Sequence, residues 1–210
     1  QPAPGQYVRT RDAGLLEVLV CRQMPNPGKG FRESELLPSD ADTAANSYVD
    51  VNHEAIRKFL AMTIPSDDLT AREAAIELTR SVHQNIADRT SPTDRNGLAR
   101  ASTVAKYMLG DSMERAILLT ALLRGRKIPA RIVLGLKYLP ESPARLVYHP
   151  WTIAYVDESW IHLDPSEGGL AAADRLVFAT SDLAGGDEFE AIVPLLEMMR
   201  MIQVEIAGQK

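Results

Sequence analysis

Gly110-Asp111-Ser112-Met113-Glu114-Arg115-Ala116-Ile117-Leu118-Leu119-Thr120-Ala121-Leu122-Leu123-Arg124 is the stretch on which the reading of this chain turns. Asp111 is a good helix N-cap, and Glu114 follows at the spacing of a capping box. The residues behind it are apolar nearly all round, which predicts a buried helix. Gly125 lies near its expected end, and Pro129 prevents continuation. Ser112 therefore falls in the first turn, where free backbone N–H groups and the helix dipole favour negative charge. A cysteine at this place would have its thiolate stabilised. The same N–H groups could receive the oxyanion of an acyl-transfer intermediate. Taken alone, a serine here reads as an ordinary first-turn or capping residue.

Downstream of residue 127 the apolar period changes from that of a helix to two. Arg131–Leu136, Trp151–Val156 and Trp160–Leu163 read as strands, and Asp157-Glu158-Ser159 joins the last two in an antiparallel hairpin. His149 precedes one arm and Asp164 ends the other, so both fall at the same end of the ribbon. An imidazole oriented by a carboxylate is the base–orienter half of a catalytic triad. The bland alternative is a strand-end histidine and a turn aspartate capping Ser166. His162 shares a strand face with Asp164 and is a site neighbour or a structural residue. His53 and His83 read as surface or packing residues on helices. His149, His162 and Asp164 have the ligand types of a zinc site, but no metal-binding spacing supports one. The acidic run Asp40–Asp42 lacks a calcium-loop pattern. Neither a metal nor an organic cofactor is expected.

Upstream, Asn52 can cap a helix over 53–62. Thr70-Ala71-Arg72-Glu73 is a capping box opening a helix marked by Ala74, Ala75, Leu78, Val82 and Ile86. Residues 88–100, with Pro92 and Gly97, read as a loop, and a short helix over 101–108 follows. Residues 15–22 read as a strand that buries Cys21, residues 25–46 as a loop, and the start to Gln6 as a tail. Phe189 to Met199 marks a helix, and Ile202, Val204 and Ile206 a last strand. Helices first and a meander of strands afterwards is the α+β pattern. The expected division is an extension over 1–45 and a domain over 46–210.

Composition narrows the function. Net charge is −5 without a dense Lys/Arg cluster, so the basic footprint of a nucleic-acid binder is missing. No apolar run reaches the roughly 18 residues of a membrane span. A single cysteine cannot form an internal disulfide, and such scarcity suits either side of a bacterial membrane. The chain begins at Gln1 without a methionine, which suggests a processed or trimmed part of a larger protein; compartment and oligomeric state are not set by these features.

Three segments together resemble the core of the transglutaminase-like branch of the papain-type cysteine hydrolases. Gly110 to Arg124, continuing to Ile128-Pro129-Ala130-Arg131, is similar to the family's Gly-Asp-Cys helix and its Gly-Ile-Pro-Ala-Arg turn into a strand. His149-Pro150-Trp151 is similar to His-Ala-Trp, and Trp160-Ile161-His162-Leu163-Asp164-Pro165-Ser166 to Trp-x-x-x-Asp-Pro-Thr. The resemblance implies a papain-like α+β domain in which the Ser112 helix packs on an antiparallel sheet supplying His149 and Asp164. It assigns Ser112 to the nucleophile position, His149 to the general base and Asp164 to the orienting acid. Trp151 would be core or a wall of the substrate site. The implied substrate is a protein or peptide carboxamide, turned over by hydrolysis or acyl transfer. Lys127 replaces the glycine before Ile-Pro, and Ser112 replaces the cysteine. That second departure leaves three readings open: a weak or inactive domain kept for binding or scaffolding, a natural cysteine exchanged for serine, or a working serine nucleophile.

Overall fold

The computed structural model describes residues 3–11, 15–21, 36–64, 68–89 and 98–183. Strands β1 (Gln6–Thr10) and β2 (Leu16–Val20) form an antiparallel hairpin. Helices α1 (Glu54–Thr63) and α2 (Ala71–Asn85) follow. Then come a two-residue strand β3 (Ala87–Asp88), α3 (Ala101–Tyr107), a second short strand β4 (Leu109–Gly110) parallel to β3, and α4 (Ser112–Gly125). The rest is sheet: β5 (Ala130–Leu139), β6 (Arg145–Val156), β7 (Ser159–Asp164), β8 (Gly169–Leu170) and β9 (Arg175–Ser181), in the order β8-β7-β6-β5-β9 with every pair antiparallel. The α+β expectation holds.

Helix α4 is the axis of the core. Every residue from Met113 to Arg124 is buried, because helices α1, α2 and α3 close one side of it and β5 and β6 the other. Strand alternation then sorts the sheet into two faces. Ile132, Leu134, Ala154, Val156 and Leu163 join α4 in the main core, while Val133, Trp151, Ile153 and Val177 form a second cluster with Ala3. Leu118, Leu119 and Leu122 are fully enclosed; each such side chain contributes on the order of 1.5–3 kcal/mol by leaving water. Arg124, also fully buried, donates to the carbonyls of Ala130, Ala44 and Asp182 and so fastens three segments to the end of α4.

The capping boxes at Thr70 and Asp111 form as predicted. Other expectations are corrected. The cap of α1 is His53, whose Nδ1 accepts from the Ala55 N–H, rather than Asn52. Strand β6 starts at Arg145, so His149 lies within the strand instead of ahead of it, paired with Gly135 of β5. The hairpin turn is the two residues Asp157 and Glu158, both at positive φ, as the tightest hairpins require. The start of the chain is no free tail: Ala3 and Gln6 are buried. The Gln6 side-chain amide pairs with Val177 in both directions, donating to its carbonyl at 3.0 Å and accepting its N–H at 2.8 Å. Cys21 lies just past β2 and is partly exposed rather than buried. The apolar run that predicted β2 leaves Leu16 more than half exposed. The helix and strand expected after residue 188 lie outside the described residues.

Candidate active site

Ser112 opens α4. The approach to it is built by backbone and carboxylates. Met108 takes a left-handed conformation that ends α3, and Leu109–Gly110 then pair with Ala87–Asp88. At Gly110 a Cβ would stand 3.1 Å from the Glu114 Cβ and 3.2 Å from Val104 Cγ1, so glycine lets α3, the turn and α4 close on one another. Asp111 accepts from the Glu114 N–H at 2.9 Å, and Glu114 accepts from the Asp111 N–H at 3.0 Å. Glu114 is itself buried and takes the Arg89 guanidinium at 3.2 Å. Arg115 reaches the Ile86 carbonyl at 2.6 Å, binding the start of α4 to the end of α2. Ser112 is partly exposed, and its hydroxyl makes no hydrogen bond among the described residues.

His149 and Asp164 meet. His149 Nε2 lies 2.7 Å from Asp164 Oδ2, with the imidazole side chain 14% exposed and the carboxylate fully enclosed. The register Thr152↔Leu163 puts Asp164 opposite Trp151, and His149 is two residues along the same strand face. The Asp164 carboxylate accepts two further bonds, from the Ser166 N–H to Oδ1 at 2.8 Å and from Arg175 Nη2 to Oδ2 at 2.5 Å. Burial alone would raise the Asp164 pKa. The His149 hydrogen bond and the charges of His149 and Arg175 outweigh it and hold the group down at about 2. Asp164 is therefore a carboxylate throughout the neutral range.

Trp151 lies fully buried beneath this couple. Its ring stacks on His149 with centroids 6.4 Å apart and planes at 22°. Its indole N–H donates to His162 Nδ1 at 2.9 Å, and His162 Nε2 contacts the Pro4 carbonyl at 2.6 Å. A carbonyl only accepts, so His162 is neutral with its proton on Nε2. Burial pushes the His162 pKa down to about 4, the Pro4 hydrogen bond resisting and the Arg175 charge assisting. With both ring nitrogens occupied, His162 has no lone pair left for a metal. Room for Trp151 comes from Gly135: a Cβ there would lie 2.3 Å from the Leu176 carbonyl and 2.6 Å from the indole ring.

Of the residues singled out from sequence, the fold thus brings together His149, Asp164, Trp151 and His162. Ser112 enters none of their hydrogen bonds. The body of α4 packs on the opposite sheet face, where Thr152 Oγ1 donates to the Ala116 carbonyl at 3.2 Å. Two links bring the Asp164 turn and the Ser112 helix to a common neighbour. Gly168 lies against the His83 ring of α2, and the carbonyl of Ile86, which caps the end of α2, holds Arg115. The sequence reading missed Arg175. Its signal was a charged side chain sharing strand parity with the buried Val177, an inward position that needs a carboxylate partner.

A family model described as the transglutaminase-like superfamily matches residues 58–165. That span holds Ser112, His149 and Asp164 and stops short of Arg175. A candidate cysteine protease from Cytophaga hutchinsonii is similar in fold at 18% identity, with a TM-score of 0.49, 67% of this chain covered and 52% of that one. LapG of Legionella pneumophila is similar at 16% identity and a TM-score of 0.45, with 77% and 93% covered. For red sea bream transglutaminase the figures are 12% identity, a TM-score of 0.36, and 80% and 32% covered. The chain thus spans about half the length of the Cytophaga protein. No curated protein is significantly similar to it in sequence.

Proposed function

This chain belongs to the transglutaminase-like superfamily, and we propose that it binds protein or peptide carboxamide segments at Ser112, His149 and Asp164 without turning them over at the rate of a thiol enzyme. The observation that supports this reading is the completeness of the His149–Asp164 couple in a chain that carries serine at residue 112, where the family resemblance puts the nucleophile. His149 is held at 2.7 Å from a carboxylate that two further donors fix, an arrangement that supports the roles of base and orienter in this reading.

Serine is the weak part. The helix terminus can lower a thiol pKa from about 8.5 to between about 3.5 and 7.5. A serine hydroxyl starts far higher, and dipole assistance of roughly 0.3–1 kcal/mol leaves it protonated. It would need concerted proton removal by His149, for which a Ser–His hydrogen bond is the usual preparation. Trp151, being fully enclosed, supports His149 from below and meets a substrate only through it.

Replacing Ser112 by Cys tests the assignment. The new thiol should react with iodoacetamide at pH 7 roughly tenfold faster than the same thiol in a Ser112→Cys/His149→Ala variant, because an imidazole neighbour raises the thiolate fraction. Amide hydrolysis or amine incorporation should appear with it. Equal alkylation rates in the two variants would sink the assignment. Fluorophosphonate labelling of the unaltered protein at Ser112, lost in His149→Ala, would establish a serine hydrolase in place of a binding domain.

A further inference from the structure

Asp164 Oδ2 is shared. It accepts from His149 Nε2 at 2.7 Å and from Arg175 Nη2 at 2.5 Å, while Oδ1 takes the Ser166 N–H at 2.8 Å. Arg175 is as deeply buried as its partner, with side chains 2% and 0% exposed. The guanidinium cannot swing away, because Nη2 also donates to Glu167 Oε2 at 2.5 Å and Nη1 bonds Asp174 and the Ala172 carbonyl. Glu167 in turn pairs with Lys137 of β5. A chain of fixed charges therefore runs from the partly exposed Glu167 into the buried Asp164.

The consequence concerns one proton. Arginine cannot give up its charge in a protein and presents donors only. A fixed cation against Oδ2 and an N–H against Oδ1 favour Asp164 as the ionised carboxylate over the neutral carboxyl. The proton between His149 and Asp164 therefore resides on His149 Nε2, which leaves Nδ1 as the basic nitrogen. An enclosed carboxyl without this cation could hold the proton itself and turn His149 around electronically, Nε2 accepting and Nδ1 protonated. We infer that Arg175 is a positioning residue that locks His149 in the Nε2–H tautomer and so determines which ring nitrogen can act as the base. The inference rests on His149 being the base of the site, yet the tautomer is measured without substrate, nucleophile or turnover. An inert Ser112→Cys variant would end the proposed function and leave this result untouched.

The test is long-range proton–nitrogen correlation of the histidine side chains in the full chain labelled with nitrogen-15, at pH 8, with His149 assigned by its loss in His149→Gln. The unaltered protein should show His149 with Nε2 protonated and Nδ1 bare. Arg175→Gln, which keeps donors but removes the charge, should bring in the Nδ1–H form, and Arg175→Lys should restore the single Nε2–H form. A merely structural role for Arg175 would leave the tautomer unmoved in a folded Arg175→Gln protein, and that outcome overturns the inference. Should Arg175→Gln not fold, the unaltered protein and Glu167→Gln decide. The latter removes the Glu167 charge from Nη2, the nitrogen that also bonds Asp164, and leaves Asp164 its cation, so both should be Nε2–H, and Nδ1–H in either overturns the inference.

Discussion

The two faces of β6 are held by different physics. On one, Thr152, Ala154 and Val156 meet α4 in a dry core, where Thr152 Oγ1 donates to the Ala116 carbonyl. On the other, His149 and Trp151 join His162, Asp164 and Arg175 in a polar cluster in which each group limits its neighbour's protonation. The first face stabilises through area removed from water and tolerates changes of side chain that keep volume. The second works through hydrogen bonds, and removing one partner there leaves a buried polar group unpaired at a cost of about 1–3 kcal/mol. The packing on α4 and the polar cluster around Asp164 thus lie on opposite sides of a single strand.

The largest effect that would separate them belongs to the dry face. Leu119→Ala, at a fully buried site in α4, should lower unfolding free energy by about 2–5 kcal/mol. Urea denaturation measures this, and the His149 tautomer of the protein that stays folded should be unchanged. A shift in that tautomer would show the faces to be coupled through the strand.

Gly135→Ala acts on the polar face and should be milder, at about 1–3 kcal/mol for overpacking. Its new Cβ would press on both the Leu176 carbonyl and the Trp151 ring. Tryptophan fluorescence and the His149 signals should move together, because the ring that must shift is the one His149 stacks on. Unaltered spectra would mean that Trp151 does not support His149.

Acidification should give the most local effect. His162 is held neutral, with its pKa down at about 4 against an ordinary 6.5. The unfolded chain therefore binds this proton first, and the contribution is complete above pH 6.5 and lost as pH falls from there to about 4. Protonation at Nδ1 would break the bond from Trp151, while Nε2 keeps its bond to Pro4. Amide exchange of Gln6–Thr10 should accelerate in that window, whereas α4 should stay protected. Asp164 works in the same sense at lower pH: its contribution is present above about 3.8 and disappears as pH falls toward about 2.

Local pattern in the amino-acid sequence determined the two capping boxes, the buried α4, the α+β order and the placing of His149 and Asp164 at one end of a hairpin. Each follows from propensity or period over a few neighbouring residues, the range at which sequence and geometry are directly linked. Tertiary structure alone decided the rest. Gln6 and Pro4 became part of the sheet's polar face because their partners Val177 and His162 lie more than 150 positions away. Arg175 became the third partner of Asp164 because β9 pairs with β5 rather than with its neighbour in the chain. Where a charge goes depends on which strand lies beside it. Strand order is fixed by burying the whole sheet at once, so no window of residues contains it.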